Sequence, residues 1–153
     1  MSTTPNHEEL NESLKLFVVL SRAARAVSDR IAEDIRSYGL NPTEFAVLEL
    51  LYHKGSQPIQ VIGKKVLIAS SSITYVVDKL ESKGYVQRVA SPDDRRVILA
   101  DLTPAGSELM DDIFPRHARS IHRILDGVPS EEKHPLIQQL KKIGLHAQQM
   151  QHK

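Results

Sequence analysis

A chain of 153 residues with 41% apolar and 25% charged residues is about one domain of ordinary globular composition. With no Cys and no Trp, it has no disulfide framework, thiolate metal site or thiol switch. The core must be built from Leu, Ile, Val and Ala. The net charge of +1 is unevenly spread: residues 54–98 hold 8 basic and 4 acidic side chains, whereas residues 1–53 hold 5 and 8. That concentrates positive charge where a polyanion would bind.

No run reaches the ~18 apolar residues of a membrane span. The polar, acidic start MSTTPNHEEL does not read as a signal peptide, so a cytoplasmic protein away from membranes is expected.

Residues 1–8 read as disordered. From about Glu9 to Tyr38, Leu10, Leu14, Phe17, Leu20, Ala24, Val27, Ile31 and Ile35 recur in steps of three or four, which predicts one helix roughly 45 Å long. Its segment Leu16–Leu20 is apolar all round and is expected to be buried on more than one side, so its first half is assigned to an interface with a second copy. Gly39 ends the helix.

Asn41-Pro42-Thr43-Glu44 starts the next helix as a capping box with Pro at the first position, burying Phe45, Leu48, Leu51 and Tyr52. A third short helix follows Ser56-Gln57-Pro58, with Ile59, Ile62, Val66 and Leu67 inward. A fourth runs near Ser70 to Lys83, its N-cap falling at Ala69 or Ser70. Ile73, Val76, Val77 and Leu80 point inward; Ser71, Thr74, Tyr75, Asp78 and Glu81 point outward.

Tyr85–Ala90 and Val97–Leu102 read as strands of a hairpin turning at Pro92-Asp93-Asp94. Thr103 caps a fifth helix reaching about Asp126, with Pro115 expected to kink it. A sixth begins at Pro129-Ser130 and carries Leu136, Ile137, Leu140, Ile143 and Leu145 on one face.

This order predicts a mainly α protein with a small β-hairpin wing. Residues 1–153 form one domain: a winged helix-turn-helix lobe over 41–102, with dimerisation helices over 9–38 and 103–150. A hydroxyl-rich helix suits the DNA major groove, and an arginine-tipped hairpin suits phosphates and the minor groove. Candidate DNA contacts are Ser70, Ser71, Ser72, Thr74, Tyr75 and Lys79 on the helix, with Gln57 and Lys65 as phosphate contacts. Asp94 and Arg96 flank Arg95 at the hairpin tip, where a carboxylate two residues away is expected to hold an arginine in position. No HExxH, Ser-His-Asp context or phosphate-cradling Gly loop is present, so neither an enzyme, a cofactor nor a metal site is expected.

The run DKLESKGYVQRVASPDDRRVILADLTPAGSEL resembles the signature of the MarR family of bacterial transcription regulators. The matches are Leu80, Glu81 and Gly84; Asp94 and Arg96; and Leu102, Thr103 and Gly106. SLKLFVVLSRA and SYGLNPTEFAVLELLYHKG look like that family's branch of repressors of quinone and phenol detoxification.

The resemblance implies a homodimer bound to a pseudo-palindromic operator on double-stranded DNA. It gives the minor-groove role to Arg96 and a phosphate to Arg95. It also implies a small aromatic (quinone or phenolic) effector in a crevice between lobe and dimerisation helices, for which Phe17, Arg25, Phe45, Tyr52, His53, Phe114 and His117 are candidates. Many members carry Arg where this chain has Tyr75, which puts guanine reading there in question. Alternatives are a winged-helix protein-interaction module and a metal-responsive regulator.

Overall fold

The computed structural model describes residues 3–66 and 70–150, except the side chains of Ser70 and Ser71. The chain order is α1 (His7–Arg36), α2 (Pro42–Lys54), β1 (Gln57–Pro58), α3 (Ile59–Lys65), α4 (Ser70–Ser82), β2 (Val86–Ala90), β3 (Ile98–Leu102), α5 (Pro104–Ile124) and α6 (Ser130–Gln149). It is mainly α with a small antiparallel sheet, a winged helix-turn-helix framed by terminal helices.

Local chemistry places most helix ends. Asn41 accepts from the Glu44 N–H at 2.7 Å, and Glu44 accepts in return from the Asn41 N–H at 3.1 Å. The same reciprocal box forms between Asn6 and Glu9, so α1 starts at His7; of residues 1–8, expected to be disordered, 6–8 form an ordered helix start, and residues 1 and 2 lie outside those described. The expected cap of α4 at Ala69 or Ser70, and the inward Leu67, lie outside the described residues and side chains. Gly39 and Gly84 take φ of +80° and +82°, which lets the chain turn sharply after α1 and α4 at no side-chain cost.

Two features were not legible locally. Gln57–Pro58 forms a short strand paired with Leu99–Ala100 of β3, giving the sheet order β1-β3-β2. Val47 is fully buried beside the expected Phe45, Leu48 and Leu51, because α2 packs against α1, α4, α5 and β3 at once. The expected inward residues of α4, Ile73, Val76, Val77 and Leu80, are all buried. Tyr52 is only half-buried. The core is completed from outside the lobe by Ile35 and Leu40 on one side and Met110 and Ile113 of α5 on the other.

The joint between wing and α5 explains the Leu-Thr-x-x-Gly pattern. Thr103 donates its hydroxyl to the Gly84 carbonyl at 2.6 Å and accepts from the Gly106 N–H at 3.0 Å. At Gly106 a Cβ would overlap the Tyr85 carbonyl oxygen and stand 3.2 Å from Leu102 Cδ2. Only glycine lets α5 lie this close to the turn after α4. Helix α5 runs through Pro115, and α6 through Pro135.

The terminal helices are apolar on faces that no other described residue covers. Leu16, Phe17, Val18 and Val19, expected to be buried on more than one side, are all exposed, Phe17 by 67%. The whole expected stripe of α6, Leu136, Ile137, Leu140, Ile143 and Leu145, is exposed too. By contrast α1 is anchored at its other end, where Ile35 is buried and Ile31 packs against the core. Among the described residues no helix is long and apolar enough to cross a membrane.

Candidate nucleic-acid interface

Helix α4 buries one face and leaves the opposite one bare. Ser72, Thr74, Tyr75 and Lys79 are exposed, Tyr75 by 61%. The Lys79 ammonium lies 5.3 Å from the centre of the Tyr75 ring, an i,i+4 cation–π pair. The candidate side chains of Ser70 and Ser71 lie outside those described.

The wing stands beside this face. Arg96 is 92% exposed along its side chain; its Nε lies 3.3 Å from Asp94 Oδ1, and the same oxygen accepts from the Arg96 backbone N–H at 3.0 Å. Asp94 thus holds the arginine at its backbone N–H and Nε while its two Nη groups project outward. Arg95 is exposed. Thr74 and Arg96 line one groove of about 270 Å³ together with Pro58, Ile59, Gln60, Val97 and Ile98. Gln57 and Lys65 meet as well: the lysine donates to Gln57 Oε1 at 3.1 Å.

Sequence reasoning missed what fixes the wing to the helix. Arg88 of β2 reaches Asp78 at 2.6 Å and Glu81 at 3.3 Å on α4. One strand arginine therefore neutralises both carboxylates on the exposed side of α4 and sets its angle to the hairpin. The outward placing of Asp78 and Glu81 was a signal that a cation had to come from elsewhere.

The candidate effector residues only partly converge. Phe45, His53 and His117 line a cleft of about 420 Å³ with Ile31, Ile35, Glu49 and Leu50. Tyr52 and Phe114 back it through ring contacts with His53 at 5.2 and 4.7 Å. The Tyr52 hydroxyl instead donates to Asp111 at 2.6 Å, and that bond raises its pKa. Phe17 and Arg25 do not line it; Phe17 lies fourteen residues before Ile31 on α1, roughly 21 Å along the axis.

A partly buried polar cluster, also unforeseen, joins α1 to α5 behind His117; its Asp34, Tyr38 and Ser120 line a second cleft rather than this one. Asp34 of α1 meets His117 Nδ1 of α5 at 2.9 Å and accepts from the Tyr38 hydroxyl at 3.0 Å. Burial pushes the Asp34 carboxyl up, but hydrogen bonds with Ser120, His117 and Tyr38 outweigh it and hold the pKa below the ordinary value. Burial and the neighbouring Asp34 together push the Tyr38 phenol up. His122, five residues along α5, opens on that second cleft, of about 700 Å³, with Arg116, Arg119 and Arg123. Among the described residues no three His, Asp or Glu side chains gather as a metal site.

A helical lobe with an arginine-tipped wing beside an exposed polar helix defines a winged helix-turn-helix regulator of the DNA-binding class. Residues 40–98 match the MarR family. The chain is similar to the HTH-type transcriptional regulator MhqR of Bacillus subtilis strain 168, with 55% identity over 93% of this chain and 98% of that one. The protein belongs to the MarR family of transcriptional regulators, and it is not an enzyme.

The same fold is seen in AbsC of Streptomyces coelicolor, a MarR family regulator, at TM-score 0.79 and 20% identity over 97% of this chain and 100% of that one. It is seen again in Sco3205 of the same organism, solved in complex with DNA, at TM-score 0.77 and 20% identity over 94% and 90%.

Proposed function

We propose that the protein is a homodimeric repressor that grips a pseudo-palindromic operator, one α4 in the major groove of each half-site and one Arg96 in the adjoining minor groove. The observation that carries this is the single groove lined by Thr74 and Arg96, which gives base-reading helix and wing one common face. Ser72 and Thr74 lie in the first turns of α4, where hydroxyls and free N–H groups suit base edges and phosphates. Tyr75 takes a thymine methyl or a phosphate; Lys79, Lys65, Gln57 and Arg95 take phosphates. The half-sites then lie about one helical turn apart.

The second copy covers the bare apolar faces of α1 and α6, where runs of large apolar side chains stand exposed, as marks an interaction surface. On this reading, residues 41–102 are the DNA-binding lobe and residues 9–38 and 103–150 the dimerisation helices.

A small phenolic or quinone-like aromatic enters the cleft of Phe45, His53 and His117, where α1 and α5 meet the lobe. Its volume suits one ring. Such a ligand releases DNA by binding more tightly to a dimer whose lobes are spaced wrongly for the operator.

The test is a fluorescence-anisotropy titration on the promoter upstream of the protein's own gene, at several salt concentrations, with and without a panel of phenols and quinones. Affinity should fall steeply with salt, and at least one aromatic should weaken it. Failure to bind any DNA of its own locus, with salt-insensitive binding to a protein instead, would favour an interaction module.

A further inference from the structure

His117 sits at the wall of the aromatic cleft, 4% exposed, and is held by a carboxylate 83 positions earlier in the chain. Asp34 Oδ2 lies 2.9 Å from its Nδ1, and both Asp34 oxygens accept from the Tyr38 hydroxyl at 3.0 Å. An ionised carboxylate can only accept. The proton of a neutral His117 ring is therefore drawn to Nδ1, and the lone pair is left on Nε2.

Among the described residues nothing bonds Nε2, and none of their buried side-chain nitrogens or oxygens lacks a partner. Nε2 accordingly has access to the cleft that His117 lines. The Phe45 ring, 4.4 Å away and tilted by 50°, supplies an apolar surface beside it. The other polar lining residues, Glu49, His53 and Lys54, are all more exposed. With no Cys in the chain, there is no thiol to add to an electrophilic ring, so the ligand is recognised by non-covalent contacts or is attacked by a weaker nucleophile.

We propose that Asp34 is a specificity-determining positioning residue: by holding the ring proton on Nδ1 it makes His117 Nε2 a hydrogen-bond acceptor facing the cleft, which then selects aromatic rings bearing a hydroxyl over rings of equal size without one. A phenol or hydroquinone donates to that lone pair. An oxidised quinone offers only acceptors and sets lone pair against lone pair. The inference rests on the cleft being the effector site, as proposed above.

Calorimetric titration of the full chain with hydroquinone and with 1,4-difluorobenzene, a ring of similar size that donates nothing, tests it. The pair is compared in the wild type and in Asp34→Asn, which in a comparable His–Asp arrangement leaves the wrong tautomer. The wild type should prefer hydroquinone by about tenfold or more. In the variant that ratio should collapse toward one, while 1,4-difluorobenzene affinity holds within about twofold, showing an intact cleft.

Ligand-free ¹⁵N spectra should place the His117 proton on Nδ1 in the wild type and move it in the variant; should Asp34→Asn fail to fold, the wild-type spectrum and ratio decide alone. A wild-type proton on Nε2, no wild-type preference, or the same preference in both proteins overturns the assignment of Asp34 and leaves the effector cleft standing. If neither compound binds, the cleft reading falls, and this inference with it.

Discussion

Arg96→Ala separates affinity from stability more sharply than any other single change. In the free protein the side chain is 92% exposed and its ionic partner Asp94 is 45% exposed, so screening leaves that pair worth less than about 0.5 kcal/mol. The fold and the proposed dimer should not notice its loss. On the operator, an arginine seated in a narrow minor groove is worth about 1–3 kcal/mol.

If the protein binds as the proposed homodimer, two wings engage the operator, so the variant should lose about 2 kcal/mol even at the low end, roughly thirty-fold in Kd. Lost cation contacts should also flatten the dependence of log K on log salt, by about one for each phosphate charge no longer neutralised. The assay is operator titration by anisotropy across a salt series, with thermal melting and sedimentation run on the same samples. Unchanged affinity would remove the wing from DNA recognition. A loss matched by a fall in Tm or by dissociation would show that Arg96 acts through the fold.

Other perturbations probe the frame. Gly106→Ala forces a methyl group onto the Tyr85 carbonyl and should cost about 2–3 kcal/mol net of the helix propensity gained, lowering Tm by about 5–10 °C; a Tm within a degree of wild type would refute the close approach. Leu14→Asp puts a charge on the exposed stripe of α1, where Leu14 is 64% exposed, and should give monomers by ultracentrifugation; a fully dimeric variant would refute the use of α1 in the interface. Because the Asp34 carboxyl is held below its unfolded value of 3.8, its contribution is complete above about pH 4 and disappears as pH falls through the lower folded-state value. Urea melts should thus show wild type and Asp34→Asn converging in stability over that acid window, and a constant gap down to pH 2.5 would contradict it.

Much of the architecture was legible because it is written in short-range chemistry. Asn41, Pro42 and Glu44 start a helix wherever they occur together, Gly39 and Gly84 end one, and the spacing of Ile73, Val76, Val77 and Leu80 is a helix face by arithmetic alone. The same local rules, applied at Asn6 and Glu9, would have found the true start of α1. They also carried the exposed face of α4 and the arginine tip, since a residue's side of a helix follows from its neighbours at three and four. The apolar character of Leu14, Phe17, Leu136 and Leu140 was equally plain, though only the folded chain shows that among the described residues they stay exposed.

The sequence alone thus determined the helices, the wing and the polar helix face, because capping, turn chemistry and period are settled within about four residues. Tertiary structure decided everything that joins distant positions. It paired Gln57 with Ala100, braced α4 through Arg88, seated α5 against Tyr85 at Gly106, and set Asp34 against His117. Such partners are chosen by how helices and strands pack in space, and no periodicity along the chain encodes that choice.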